Sequence, residues 1–323
     1  MKRENWVDIA KGIGIVLVVY GHVARGLFNA EIPLNYDFYK SIDKLIYAFH
    51  MPLFFFISGY LYSSSILKKS TLYVLKDKIR SILYLYIFWS VLHGIVEVLM
   101  SDFTNGSVRM PDVMTVWRPR AHFWFLYSLF LVFVIATLIY WVRKDYIKYI
   151  VFLLAIGLYY YPEMLQLGYI SYWISPWLVY FTGGVAIARY MTSFDMRIWI
   201  LSVVCLAILA VGSGLPLIDA SFGIAIILWI SRCLDAYTDG FIKSAIIYLG
   251  RLSLPIYIIH VLSGSGIRII LQKVFNVESF WIHLIAGMIF GIILPIVLHR
   301  FSIRYRCNFL WEFPRFRLNY KHK

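Results

Sequence analysis

Hydrophobic residues in this chain gather into runs about 20 residues long, separated by short polar or basic stretches, and a run of that length crosses the hydrocarbon core of a bilayer as a helix. The runs fall near 6–28, 43–66, 80–100, 123–142, 147–161, 173–190, 197–213, 217–234, 252–272 and 280–300. The pattern predicts about ten transmembrane helices. The fifth, seventh and eighth runs are short, and the stretch 241–250 reads as an interfacial helix ahead of the ninth. Composition agrees: 61% of residues are hydrophobic and only 15% charged, whereas an ordinary globular domain carries about a quarter charged residues. With a mean hydropathy of +0.73, the chain reads as an all-α polytopic membrane protein. Its 323 residues are taken up by spans and short connections, which leaves no separate soluble domain of ~100 residues. The transmembrane domain is assigned to 1–300, and a basic, aromatic tail to 301–323.

Charge then fixes the expected orientation. A net charge of +14 in a soluble protein would point to nucleic acid, but in a multi-span protein the basic residues mark the cytoplasmic loops. With the N-terminus inside, 22 of the 31 Lys and Arg residues fall in cytoplasmic segments and eight outside. Both termini are therefore expected in the cytoplasm, with membrane lipids and no nucleic acid as partners. Trp311, Phe313 and Phe316 among the bases of the tail suit an interface with anionic lipid. Lys2 and Arg3 open the chain as a signal peptide does, but Asp8 and Lys11 interrupt the apolar run, so the first span is expected to be retained. Cys205, Cys233 and Cys307 are scattered singly, a spacing that suits neither a disulfide framework nor a thiolate metal site.

The first span carries the candidate chemistry. Asp8, Lys11, His22 and Arg25 interrupt an otherwise apolar helix, and a charge at the bilayer centre costs roughly 2.5–3.5 kcal/mol on insertion scales, so such groups face a polar cavity or a partner. The eleven-residue step from Lys11 to His22 is about three helical turns, which returns to nearly the same face. Asp8 and Arg25, each three residues from a member of that pair, join the stripe. Helix directions then carry His50, His93, Glu97 and His122 to the outer half of the bilayer and His260 nearer the middle. Histidine suits acid–base chemistry near neutral pH. His93 and Glu97 have helical metal-ligand spacing but no third ligand in register, so no metal is expected. The basic cluster from Lys68 to Arg80 suits a topology signal or a phosphate site. There is no P-loop, dinucleotide-binding glycine fingerprint or Gly-x-Ser-x-Gly.

The spacing of Lys11 and His22 inside Arg3-x4-Asp8-x2-Lys11-Gly12, together with Phe49-His50-Met-Pro52-Leu-Phe-Phe-Phe-Ile-Ser58-Gly59-Tyr60, resembles the integral-membrane acyltransferase-3 family. The branch is that of fucose 4-O-acetylase-like and surface-polysaccharide (O-antigen) O-acetyltransferases. Trp124-Phe-Leu126 and Leu249-Gly250-Arg251-Leu-Ser253-Leu-Pro255-Ile-Tyr257-Ile-Ile-His260 extend the likeness along nearly the whole chain. The resemblance implies a bacterial inner-membrane enzyme that moves acetyl from cytoplasmic acetyl-CoA, a co-substrate rather than a bound cofactor, to a hydroxyl of a cell-envelope glycan or its lipid-linked precursor. It implies that His22 is catalytic, supported by Lys11 and Asp8. The family's basic residue is often Arg, and Lys11 cannot form the same bidentate fork. Arg25, His50, Glu97, His122 and Trp124 are candidates for the acceptor, and Arg3 and Arg80 for the donor phosphates. The competing reading is a transporter or flippase of a lipid-linked sugar, against which no inverted repeat or pair of broken helices is visible.

Overall fold

The computed structural model describes residues 4–33, 35–101, 108–142, 144–192 and 195–314. Thirteen α-helices follow in chain order: α1 (Asn5–Asn29), α2 (Tyr36–Lys68), α3 (Thr71–Lys78), α4 (Tyr84–Leu99), α5 (Met110–Met114), α6 (Trp124–Ile139), α7 (Ile147–Tyr160), α8 (Ser171–Ile187), α9 (Met196–Ser213), α10 (Pro216–Tyr237), α11 (Phe241–Arg251), α12 (Ser253–Ile269) and α13 (Phe280–Arg304). No strand occurs among the described residues. A π-helical turn, Ile79–Leu83, joins α3 to α4, and another, Ile270–Val274, extends α12. Side-chain caps set two of the starts. Asn35 accepts from the Phe38 N–H at 3.0 Å and Ser70 from the Tyr73 N–H at 3.3 Å, each relieving an orphan donor of a helix N-terminus.

Seven of these segments are long and apolar enough to cross a membrane: 5–29, 36–66, 71–99, 121–142, 216–237, 253–274 and 280–304. They coincide with seven of the ten expected spans. The other three expectations fall on α7, α8 and α9, helices of 14, 17 and 18 residues. The stretch 241–250 is helical as expected, and as α11 it packs along α1. The two backbones approach closely. A Cβ on Gly250 would stand 1.7 Å from the Asp8 carbonyl oxygen, and one on Gly12 would stand 2.2 Å from that of Ile246. Lipid tails are as apolar as leucine, so helices in a membrane associate through such small-residue approaches and not through hydrophobicity alone.

The helix nearest the N-terminus is also the innermost. α1 packs against α2, α10, α11, α12 and α13, and 67% of its most apolar window is buried, against 28% for α13. Ile282, Ile285, Ile289, Ile293 and Val297 instead line an exposed stripe of α13 at the spacing of one helix face, a lipid-facing surface. After α13, which runs four residues past the expected boundary at 300, the chain turns back onto α4. Tyr84 donates to the Phe309 carbonyl at 2.7 Å, and Trp89 Nε1 donates to the Leu310 carbonyl at 2.8 Å. The first part of the tail is thereby held on the bundle, with Trp311 Nε1 donating to Ser302 Oγ at 2.6 Å.

Gly250→Ala is expected to lower the thermal unfolding midpoint in detergent by several degrees, at a cost of about 1–3 kcal/mol for overpacking. Gly266→Ala adds a methyl that meets nothing within 4 Å and is expected to leave the midpoint in place. Temperature-ramped size-exclusion chromatography measures both.

Candidate active site

α1 is a single uninterrupted helix, so Lys11 and His22 lie on one face about 16 Å apart along its axis. At the lower level, Lys11 Nζ reaches Asp8 Oδ1 at 2.8 Å, and Arg251 Nε approaches Asp8 Oδ2 at 3.5 Å. Asp8 is only 2% exposed. A buried carboxylate is tolerated when paired and hydrogen-bonded, and the tight α1–α11 packing brings Arg251 to it. Lys11 forms part of the wall of a cavity of about 300 Å³, together with Ser58 of α2, Lys78 of α3, Ser81 of the π turn and Tyr257 of α12. The cavity has cations and hydroxyls in an otherwise apolar lining. Lys78 Nζ sits over the Phe133 ring, 4.6 Å from its centroid, and the π turn at 79–83 turns Ser81 and Ile82 toward the same space.

Tyr257 links this cavity to the level of His22. Its ring packs 5.3 Å from Phe125, 5.3 Å from His122 and 6.0 Å from His260, and its hydroxyl donates to the His122 carbonyl. Beyond it, imidazoles from four elements meet. Ring centroids lie 5.0 Å apart for His22 and His260, 6.0 Å for His22 and His122, 5.2 Å for His122 and His260, and 5.3 Å for His93 and His122. His93, His122 and His260 are buried, while His22 keeps partial exposure. Of the grouped imidazoles, His22 is the one in a residue that is not fully buried. Among the described residues no three His, Cys, Asp or Glu side chains converge as metal ligands.

On the other flank of His22, α2 contributes two residues that sequence reasoning missed. Arg25 makes a bidentate pair with Asp43, at 2.7 and 2.9 Å, and its guanidinium lies 3.1 Å above the Tyr47 ring. Tyr47 in turn stands 6.4 Å from His22 and 4.5 Å from His50, centroid to centroid. Its ring lies across Gly21, where a Cβ would meet Cε2 at 2.8 Å, so a larger residue beside His22 would displace it. The signal was present: Asp43, Tyr47 and His50 recur at the four- and three-residue spacing of one helix face. His50 Nδ1 donates to the Ile46 carbonyl at 2.7 Å.

The remaining candidates divide. Glu97 pairs with Arg120, Oε2 to Nη1 at 3.6 Å, one turn beyond His93 on α4, and Arg120 Nη2 donates to the Ser90 carbonyl at 3.2 Å. Trp124 packs toward α8, 4.7 Å from Trp177, which stacks on Phe55 at 5.1 Å. It belongs to that aromatic layer, while its neighbour His122 belongs to the histidine group. Arg80 is exposed, and the cation from its cluster that lines the cavity is Lys78. Arg3 lies outside the described residues.

Comparison with known proteins bears on this arrangement. Two nodulation proteins named NolL are similar to part of the chain. That of Mesorhizobium japonicum is 30% identical over 142 residues, covering 41% of this chain and 35% of the relative. That of Sinorhizobium fredii is 35% identical over 139 residues, covering 42% and 36%. The match thus spans about a third of the length of these relatives. No solved structure matches. The acyltransferase domain family matches residues 4–300, which takes in α1 with its Lys11–His22 stripe, the cavity and every histidine of the group. The chain is a multi-pass membrane protein that belongs to the acyltransferase-3 family.

Proposed function

We propose that this acyltransferase moves an acetyl group from cytoplasmic acetyl-CoA to a hydroxyl of a cell-surface glycan or its lipid-linked precursor, with His22 as general base. The observation that carries the reading is that the Lys11-lined cavity and the histidine group share one wall, Tyr257. A thioester arm that enters beside Lys78 and Lys11 and runs along the polar face of α1 meets His22 at its end, over a distance suited to a pantetheine chain. Lys78, with Arg80 and Arg3 nearby in sequence, supplies cations for the donor phosphates, which bind Lys and Arg through charge-assisted hydrogen bonds. His22 then takes the proton of the acceptor hydroxyl as its oxygen attacks the thioester carbonyl. The C–S bond breaks, and the same imidazole returns the proton to the departing thiolate, so that CoA leaves as the free thiol. The Arg25–Asp43 pair and Tyr47 hold the acceptor side of His22, as His50 does through Tyr47.

The test is reconstitution in nanodiscs with [¹⁴C-acetyl]-CoA and the glycolipid and polysaccharide fractions of the source cells. Label is expected to appear on the glycan as an alkali-labile ester, and His22→Ala is expected to cut its rate by 10²- to 10⁴-fold, the range of general-base catalysis. Glycan that crosses a vesicle membrane unmodified and independently of acetyl-CoA would instead support a flippase. Full transfer by His22→Ala removes the proposed base.

Two further outcomes follow from the lower site. Lys78→Ala is expected to raise KM for acetyl-CoA by about 10-fold or more, with kcat little changed, because one charged hydrogen bond is worth ~1.5–3 kcal/mol. Asp8→Asn leaves Lys11 and Arg251 facing each other without the carboxylate and is expected to lower both the thermal midpoint and kcat/KM. Breaking a buried pair on one side costs about 3–5 kcal/mol. Initial-rate kinetics alongside melting curves measure both variants.

A further inference from the structure

His260 has one nitrogen bound to backbone and the other free. Its Nδ1 lies 2.7 Å from the Tyr257 carbonyl and 3.2 Å from that of Ile256. A carbonyl only accepts, so Nδ1 carries the hydrogen and Nε2 presents a lone pair. That Nε2 is fully buried and has no partner, in a residue 1% exposed. A buried acceptor left unsatisfied is costly enough that its position calls for a reason. The nearest ring beside it from another helix is His22, with centroids 5.0 Å apart at an interplanar angle of 62°. His122 also has an unpartnered nitrogen, Nδ1, but stands 6.0 Å from His22, and its own backbone contact to the Ile258 carbonyl is the longer one at 3.3 Å.

The chemistry at His22 supplies the missing donor. A general-base imidazole carries one N–H at rest and two once it has taken the proton of the acceptor hydroxyl. The newly protonated nitrogen faces the reacting atoms, so the charge is stabilised only if the opposite N–H also finds an acceptor. With the ring centroids 5.0 Å apart, a turn of the His22 ring about its broad χ2 torsion would direct that N–H toward the lone pair of His260, directly or through one water. Catalytic hydrogen bonds commonly tighten only when substrate is bound.

We propose that His260 is a positioning residue for His22: its Nε2 accepts the N–H of the catalytic imidazole, selecting the tautomer whose other nitrogen takes the proton of the acceptor hydroxyl. This rests on the reading of His22 as the base. It assigns to a buried histidine of α12 the role that a carboxylate has beside the histidine of hydrolytic triads. Because His260 touches neither donor nor acceptor in this scheme, its loss affects turnover and leaves donor binding in place.

The experiment compares His260→Leu, His260→Gln and His283→Leu in the nanodisc assay with [¹⁴C-acetyl]-CoA, each variant first shown to elute as folded protein. His260→Leu is expected to lower kcat by about 10²-fold with KM for acetyl-CoA unchanged within two-fold. His260→Gln can place an amide oxygen where Nε2 was and is expected to recover kcat to within 10-fold of the parent. His283 also has an unpartnered buried Nδ1 but bonds the Val277 carbonyl at 2.8 Å on another helix, so His283→Leu is expected to keep the parent kcat. A parent-like kcat in His260→Leu, a Gln variant no better than the Leu variant, or a defect confined to KM overturns the proposal. Sensitivity to His22→Ala with insensitivity to His260→Leu overturns this inference alone, whereas insensitivity to His22→Ala overturns the general-base reading beneath it.

Discussion

Everything at the site depends on keeping one carboxylate ionised inside an apolar bundle. Asp8 is placed a turn into a helix that the rest of the molecule surrounds, where an unpaired charge would be costly. It is met by Lys11 from its own helix and by Arg251 from the end of α11. The second contact requires α11 to run along α1 at backbone distance, which only a residue without a side chain at position 250 allows. Packing and electrostatics are therefore one device: glycine lets the backbones touch, and the touch delivers the countercharge. The result orients Lys11 along the cavity wall and fixes the rotation of α1, which aims His22, three turns on, at α12 and the start of α6.

A second regularity concerns how the imidazoles are held. His50 and His260 donate Nδ1–H to carbonyls of their own helices, and His122 lies against a carbonyl of α12. Backbone carbonyls are the most abundant acceptors in a membrane interior, and a histidine bonded to one has its tautomer chosen for it. Among the described residues the bundle thus presents lone pairs inward without a buried carboxylate at the level of His22. This suits a site in which charge exists only transiently, because the ion pairs lie apart from it, at Asp8–Lys11 below and at Arg25–Asp43 and Arg120–Glu97 on its flanks.

Much of this was legible in the residues. Run length located the long helices, and the eleven-residue step placed Lys11 and His22 on one stripe, because both readings use only helix periodicity. What failed to read was pairing between helices. Trp124 and His122 are two residues apart, but the 3₁₀ turn at 121–123 and the start of α6 send them to different neighbours, α8 and α12. Arg80 and Lys78 are also two residues apart, a step of about 200° around a helix, so one lines the cavity and the other faces outward. Asp43 and Tyr47 were readable as a repeat along α2, yet nothing in that repeat names Arg25 as their partner. The approach of Gly250 to the Asp8 backbone is likewise invisible in a pattern that reads α11 alone.

The innermost position of α1 has a consequence for biogenesis. α1 leaves the ribosome well before its final surroundings are made, since Arg251 follows Asp8 by more than 240 residues. Throughout translation of the intervening spans, the nascent helix holds its acid and its base with no help from α11. The three-residue spacing of Asp8 and Lys11 answers this, because the pair can neutralise itself within a single turn while the helix waits among lipids. Arg251 then closes the triad only after α2 to α10 have been made, with α12 and α13 still to come, which makes the polar face of α1 a late product of assembly.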